Sequence, residues 1–593
     1  MDPFDPKADL VSISSGIIAS PTVKHDFLNA YETGEHLLCS FMESCLLTNT
    51  VDFYSILKAQ KLKTFTAQVK STSTVTSKKE ITLKADRNLF ARLLIIGQTR
   101  QLDMREVLSY SLSPVSLPLA SADGSLAKTN KSALMDLMER RVDNVLALSM
   151  SDDPAVIVDG VAVIQGLVRI PETFLNLAQN IQAALIQIMV RFGSSRIDFV
   201  CDRYPDISIK NAEHSRRSTQ GTCVTRLLYG PDQKVPSQWK KFLASGKNKE
   251  ALIDFLFTTW RSTSLPNLGR DYSIYVTHSD QCHVLKATSG EVCVQFVDEL
   301  QCDHEEADTR LMLHAKHASS SYRDIVIHSS DTDVAVIAVA LGVQIQANLF
   351  SSTGVKNRAR VIDIGRIRSN LGEELSQALI GFHILTGCDS TSCFYGKGEK
   401  KTFSAMSKNE TFVRGCARLG SDFDIAAETV TSLERFVCAI YGQESAADVN
   451  DARYRVFCLA SSPGEQCMPP TNDALHQHIL RANYQAAIHR RALSRLINAP
   501  TPVGQGWRMT GDELSILWMT QDPAPEMILQ VVNCACKMSN CKTGQCSCHS
   551  STLSCTDICK CRNCENSSKT PTEELFEGGN EQDYDADDDA DDG

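Results

Sequence analysis

The 593-residue sequence lacks the features of a membrane or exported protein. No stretch approaches the roughly 18 consecutive apolar residues of a transmembrane helix. The opening segment, MDPFDPKADL, lacks the basic region followed by an apolar run that directs export. We therefore expect a soluble, intracellular protein that has no membrane partner.

Basic charge is not in excess either. The formal net charge is -11, but residues 573–593 contain 11 acids and no Lys or Arg, so the rest of the chain is close to neutral. A net charge near zero over residues 1–572 is compatible with nucleic-acid binding, because an acidic cluster that holds metal ions can offset a basic surface. The acidic run cannot bury apolar surface, and we predict a disordered tail over residues 567–593.

Cysteine is sparse except in one segment. Nine of the 22 cysteines lie in the run NCACKMSNCKTGQCSCHSSTLSCTDICKCRNCEN. A disulfide framework would leave one of nine unpaired, and intracellular thiols normally stay reduced, so these cysteines are predicted metal ligands. Nine thiolates complete three tetrahedral zinc sites if three of them bridge two ions. The predicted ligands are Cys534, Cys536, Cys541, Cys546, Cys548, Cys555, Cys559, Cys561 and Cys564.

The spacing C-x-C-x4-C-x4-C-x-C-x6-C-x3-C-x-C-x2-C, closed by Asn566, resembles the tesmin-type CXC domain, a sequence-specific DNA-binding module. The resemblance implies DNA as the partner and a nuclear location. Gln545 stands where the family commonly has Tyr, and one copy is present instead of two, so the usual target sequence does not transfer. The alternative is a zinc-stapled protein-interaction module. Phosphate contacts are expected from Lys537, Lys542, Lys560 and Arg562.

From Ala155 onward the chain alternates short apolar runs with helical patterns. The runs AVIVD, IDFVCD and DIVIHSSDTD end in acids and are typical of strands in a parallel sheet. The segment TFLNLAQNIQAALIQIMVRFG predicts a helix that ends at Gly193. We therefore predict an α/β fold, with a parallel sheet and helices on both faces.

The predicted organisation has five parts. An α-rich N-terminal region of unknown function is followed by the sheet domain with an insertion, a helical connector, a small zinc-cluster domain and the acidic tail. Their expected bounds are 1–150, 151–405 with the insertion at about 219–300, 406–530, 531–566 and 567–593.

Seven carboxylates from five segments follow apolar runs or begin helices in the sheet domain. They are Asp159, Asp202, Glu306, Asp308, Asp331, Asp333 and Asp389. Because ligands bind beyond the carboxyl ends of parallel strands, we expect these acids to converge. Two Mg or Mn ions would neutralise them and suit in-line attack of water on a phosphodiester. The alternative for each acid alone is a surface residue or helix cap.

The successive motifs VDG, DRYPDISIKNAEHSRRS, HEEADTR, SSDTD and LTGCDS resemble those of the flap-endonuclease branch of the PIN nuclease family, over about residues 155–405. The loop between Asp202 and Glu306 is longer here. The resemblance implies a first ion on Glu306, Asp308, Asp331 and partly Asp159, a second ion near Asp333 and Asp389, and an outer position for Asp202. It also implies phosphate steering by Lys210 and Arg216, and duplex contacts by Lys397, Lys400 and Lys401 in FYGKGEKKT. A solvated basic face is the alternative for these residues.

Together the patterns predict a metal-dependent nuclease that a CXC zinc module targets to DNA. RNA stays open as a substrate. Derivation from a mobile genetic element is compatible with this organisation. The alternative from another class is a non-catalytic, sequence-specific DNA-binding regulator that uses the PIN-like domain as a scaffold.

Overall fold

A computed structural model describes residues 21–48, most of residues 103–524 and a few isolated positions, including Cys541 and Cys546. Between 103 and 524, the gaps in this description are 122–123, 143–144, 147–149, 206–207, 210–224, 263–264, 266–270, 289–290, 355–358, 460–463 and 512. The predicted acidic tail lies outside the described residues.

Eight strands form the central sheet. They are β1 (Ala155–Asp159), β2 (Arg196–Val200), β3 (Tyr272–His278), β4 (Gln281–Thr288), β5 (Glu291–Phe296), β6 (Asp324–His328), β7 (Asn348–Thr353) and β8 (Arg360–Asp363). Their order across the sheet is β5-β4-β3-β2-β1-β6-β7-β8. The five central strands are parallel, whereas β4, β5 and β8 pair antiparallel at the two edges. The prediction of a mostly parallel sheet is confirmed.

Successive side chains of β1 pack into two different hydrophobic clusters, one on each face of the sheet. Ala155 and Ile157 belong to one hydrophobic cluster, and Val156 and Val158 belong to another. All four side chains are fully buried. Side chains alternate across a strand, so the continuous apolar run AVIV follows from packing on both faces of the sheet. The prediction of an α/β fold with helices on both faces is therefore confirmed.

Four helices precede β1 in the described residues. They are α1 (Pro21–Leu28), α2 (Ala30–Phe41), α3 (Met104–Leu108) and α4 (Ser132–Glu139). A π-helical segment, Met42–Leu47, continues α2. Leu134 and Met138 of α4 are buried in the same cluster as Ile157 of the sheet. The last part of the N-terminal region therefore shares a core with the sheet.

The cluster of Val156 and Val158 is covered by α5 (Gly160–Gln165), α6 (Phe174–Phe192), α7 (Trp239–Leu243) and α8 (Gly246–Ser262). The prediction for α6 is confirmed at both ends. Thr173 caps its first turn, and Gly193 ends it with φ of 70°. The segment predicted as an insertion supplies α7, α8 and the strands β3 to β5.

The opposite cluster includes the helices that follow β5. They are α9 (Ala307–Ala318), α10 (Thr332–Leu341), α11 (Ile364–Leu371), α12 (Glu373–Thr386), α13 (Glu399–Ser407), α14 (Glu410–Arg418), α15 (Ala427–Ile440), α16 (Val449–Leu459) and α17 (Asn472–Arg490). In the described residues of the predicted helical connector, 406–530, α-helices extend as far as Arg490. A two-stranded hairpin, β9 (Trp507–Thr510) with β10 (Glu513–Ile516), was not predicted.

The chain divides into two compact units. Residues 1–87 and 104–524 form the first, and residues 88–103 and 525–593 form the second. The boundaries that we predicted near residues 150 and 405 lie inside the first unit, because α4, the sheet and α12 to α17 contribute to one core. None of the helices in the described part of the chain is long and apolar enough to cross a membrane.

Candidate metal centre

The order of the sheet reverses at β1, which pairs with β2 on one side and with β6 on the other. In open α/β sheets such a switch point leaves a crevice beyond the carboxyl ends of the strands, where ligands bind. Asp159 is the last residue of β1, Asp202 follows β2, and Asp331 follows β6. Three of the predicted acids are therefore brought to this crevice by the strand topology.

A cavity of about 670 Å³ lies at this edge of the sheet. Six of the seven predicted acids line it: Asp159, Asp202, Glu306, Asp308, Asp331 and Asp389. The seventh, Asp333, is buried in the first turn of α10. The structure thus brings together acids from five segments of the chain, as the sequence predicted.

The tightest group consists of Asp308, Asp331 and Asp333. One oxygen from each carboxylate lies within 4.8 Å of the other two. Asp308 is in the first turn of α9, and Asp331 caps α10 by accepting the amide of Asp333 at 3.0 Å. Three carboxylates with oxygens this close together could hold one metal ion. This grouping places Asp333 with Asp308 and Asp331, whereas the resemblance implied that it shares an ion with Asp389.

Three other acids of the cavity have partners within the protein. Asp159 accepts hydrogen bonds of 2.9 and 3.1 Å from two amides in the first turn of α5. Asp202 accepts the amide at the start of α9 at 2.8 Å and the hydroxyl of Tyr204 at 2.9 Å. Glu306 lies 3.3 Å from the Gln485 amide nitrogen. Asp159 is therefore both a helix cap and a cavity residue.

Asp333 carries two strong contacts on a single oxygen. Its Oδ1 accepts from Lys131 Nζ at 3.0 Å and from His383 Nε2 at 2.8 Å. Burial would raise the pKa of Asp333, but the charges of His383 and Lys131 outweigh it and hold that pKa below the usual range. Burial and repulsion from Asp333 raise the pKa of Asp331. The pKa values of these two neighbouring carboxyl groups are therefore shifted in opposite directions.

Two lysines from the segment before β1 also lie at the site, and no sequence pattern predicted this position for them. Lys131 Nζ lies 2.8 Å from Asp389 Oδ1 in addition to its contact with Asp333. Lys128 Nζ donates to the backbone carbonyls of Cys388 and Asp389 at 3.1 and 2.8 Å. Both lysines line the cavity. Their segment, LAKTNKSAL, carries no recognisable motif, so only the fold reveals them.

His383 links Asp333 to a second buried acid. Its Nδ1 lies 3.9 Å from Glu399 Oε1. Burial lowers the pKa of His383, but Asp333 and Glu399 outweigh it and raise that pKa. Burial raises the pKa of Glu399 to about 7, although His383 opposes this shift. A histidine within the apolar stretch GFHILT was the one sequence signal that could have pointed to this contact.

The predicted phosphate-binding lysines lie elsewhere. Lys397 Nζ is 4.0 Å from the centre of the Tyr441 ring, and burial lowers the pKa of Lys397. Lys400 and Lys401 are exposed at the start of α13. None of these three residues is among those that line the cavity. Lys210 and Arg216 fall outside the described residues.

Most of the predicted zinc module also falls outside the described residues. Cys541 and Cys546 are described, and both are buried. The structural description does not include the other predicted zinc ligands or basic residues, namely Cys534, Cys536, Cys548, Cys555, Cys559, Cys561, Cys564, Lys537, Lys542, Lys560 and Arg562.

A comparison with protein families matches the N-terminal part of the chain. The family described as "Domain of unknown function (DUF8702)" matches residues 1–111. The match ends before Lys128, Lys131 and all the acids of the cavity. No curated protein matches the sequence.

Proposed function

We propose that the protein is a divalent-metal-dependent nuclease of the flap-endonuclease-like PIN type. The observation that carries this proposal is the convergence of six carboxylates, from five separate segments, on one cavity at the switch point of the sheet. A phosphodiester needs such an opening to reach a metal ion that these acids would hold.

The residues present fit a metal ion. Asp308, Asp331 and Asp333 would hold it through carboxylate oxygens, the donors that Mg and Mn prefer. When bound, the ion would supply positive charge that polarises the phosphodiester and lowers the pKa of a nearby water. His383 orients Asp333 from the buried side through the 2.8 Å contact.

Lys131 and Lys128 supply positive charge at the side of the cavity that carries Asp389. A phosphodiester is an anion, so these ammonium groups would favour its approach to the acids. Hydrolysis forms a bond between a water oxygen and phosphorus and breaks one P–O ester bond. The water releases a proton to solvent, and the leaving oxygen gains one.

The nine-cysteine segment is the proposed DNA-targeting part of the protein. Its resemblance to the tesmin-type CXC domain supports three zinc ions and contacts from lysine and arginine to DNA phosphates. DNA is therefore the proposed substrate and the nucleus the proposed location.

The test is cleavage of labelled single-stranded, duplex and 5′-flap DNA by the purified full chain in Mg or Mn. Asp331→Asn removes one carboxylate charge but keeps a side chain that can cap α10. Losing several kcal/mol of metal-derived stabilisation would reduce the cleavage rate about 10³-fold. Asp424→Asn, which changes an exposed acid that does not line the cavity, is the matched control and should cleave normally.

Cleavage that Asp331→Asn leaves unchanged would reject the proposed site. DNA binding by the wild type without cleavage of any substrate would favour the non-catalytic regulator instead. An RNA substrate in the same assay distinguishes the two kinds of nucleic acid.

A further inference from the structure

Lys131 occupies the position between the two carboxylates that the resemblance assigns to a second metal ion. Its ammonium nitrogen is 3.0 Å from Asp333 Oδ1 and 2.8 Å from Asp389 Oδ1. The Lys131 side chain is 18% exposed, so it is largely enclosed by the protein. A positive charge therefore already bridges these two acids.

The backbone that carries Lys131 is fixed by the fold. Lys131 is the N-cap residue of α4, and Leu134, Met135 and Met138 of that helix are buried in the main core. At the other end of α4, Glu139 forms two contacts of 2.7 and 3.0 Å with Arg360, the first residue of β8. The lysine thus projects into the acid site from a helix that is anchored at both ends.

We propose that the Lys131 ammonium takes the place of the second divalent ion, so that the nuclease works with one metal ion and one fixed lysine. This inference rests on the proposed nuclease function. The metal ion would be held by Asp308, Asp331 and Asp333, whose oxygens lie within 4.8 Å of one another. Lys131 neutralises Asp389, and both Lys131 and the metal ion would contact Asp333.

Charge explains why the lysine and a second ion exclude each other. A divalent cation that bridged Asp333 and Asp389 would need the position that the Lys131 nitrogen already occupies, 3.0 and 2.8 Å from their oxygens, and two cations in the same position would repel strongly. An ammonium group has three N–H donors. Asp333 and Asp389 take two of them, and the third can donate to a phosphoryl oxygen of the substrate. Lys131 is therefore proposed as a catalytic residue.

The test counts Mn²⁺ ions bound to the full chain with its cysteine segment loaded with zinc. Electron paramagnetic resonance and titration calorimetry each measure the number of bound Mn²⁺ ions without any need for cleavage. We expect one Mn²⁺ per wild-type chain. Lys131→Met should bind two, because removal of the ammonium opens the position between Asp333 and Asp389.

Two further variants serve as controls. Lys131→Arg keeps the positive charge and should bind one Mn²⁺. Lys128→Met removes the same charge from the same cavity, but the Lys128 ammonium contacts backbone carbonyls of Cys388 and Asp389, so this variant should also bind one. Thermal unfolding of every variant shows whether the fold is retained.

The wild-type count decides the proposal even if Lys131→Met does not fold. Two Mn²⁺ ions in the wild type would overturn the role of Lys131 and leave the nuclease proposal intact. One ion in both the wild type and a folded Lys131→Met would also overturn that role. No bound Mn²⁺ in the wild type would overturn the metal-dependent nuclease itself, and the inference with it.

Discussion

At the scale of single residues, Asp333 differs from the acids that line the cavity because a histidine ring nitrogen and a lysine ammonium both contact one of its oxygens. His383 approaches it from α12 and Lys131 approaches it from the N-cap of α4. Partners that hydrogen-bond a metal ligand fix its orientation, and losing one typically lowers metal affinity about 10- to 100-fold. His383 should therefore act on the metal site without reaching the substrate.

We predict that His383→Gln lowers Mn²⁺ affinity about 10- to 100-fold, because Asp333 loses a donor that is held in place by burial in α12. Calorimetric titration with Mn²⁺ measures this change. His478→Gln is the matched control, since His478 is also fully buried but donates to the Leu385 carbonyl at 2.9 Å. An equal loss of affinity in both variants would mean that the effect of His383 is general destabilisation.

At the scale of elements, α5 lies unusually close to the end of β2. A Cβ atom added at Gly160, the first residue of α5, would lie 2.3 Å from the Cys201 sulfur and 2.8 Å from the Phe199 ring. Only glycine allows this approach, and Gly160 directly follows Asp159 in the motif VDG. The position of Asp159 therefore depends on the absence of a side chain at Gly160.

Gly160→Ala should lower the free energy of unfolding by about 1–3 kcal/mol, because the methyl group overpacks the contact between α5 and β2. Urea unfolding monitored by circular dichroism measures the difference. Gly166→Ala at the other end of α5 is the control. A Cβ atom added at Gly166 would lie 3.2 Å from its nearest neighbour, and φ of Gly166 is -73°, so the change in the free energy of unfolding should be small. Equal stability of the two variants would contradict the packing argument.

At the scale of the whole molecule, two fully buried histidines favour their neutral form in the folded protein. Burial lowers the pKa of His478 to about 3. Burial also lowers the pKa of His314 to about 4, although its contact of 2.7 Å with Asp198 opposes the shift. Between pH 6.5 and 4 the unfolded chain binds protons at these positions that the folded protein does not bind, so the contribution of each of these two histidines to stability falls as the pH falls.

Each such histidine contributes a slope of about 1.4 kcal/mol per pH unit below its unfolded pKa. We predict that, as the pH falls from 6 to 4.5, the free energy of unfolding of the wild type decreases relative to that of His478→Asn, because only the wild type carries this buried histidine. Urea unfolding across this pH range measures both slopes. His476→Asn changes an exposed histidine two residues away and should retain the wild-type slope. A wild-type slope in His478→Asn would show that His478 does not titrate as expected.

Several elements could be predicted from local patterns. The strands β1, β2 and β6 are short, mainly apolar segments that end at or shortly before an acid, and α6 has a cap residue and a glycine at its ends. The hairpin of β9 and β10 was missed, because two strands of four residues leave too short a pattern. The position of Lys397 against Tyr441 was also missed, because the basic run alone does not specify a partner.

The convergence of the acids was encoded locally. Six of the seven acids follow an apolar strand or lie at the start of a helix, and parallel strands bring their carboxyl ends to one edge of the sheet whatever the details of packing. Asp389 is the exception, because the apolar run before it forms the helix α12 and not a strand. The contacts of Lys131 and His383 with Asp333 join residues 202 and 50 positions apart. They depend on how α4 and α12 pack against α10, and neither partner carries a local signature of that packing. The acids of the site could therefore be predicted from the sequence. The contacts of Lys131 and His383 with Asp333 could not, because they form only when helices that are distant in sequence pack into one core.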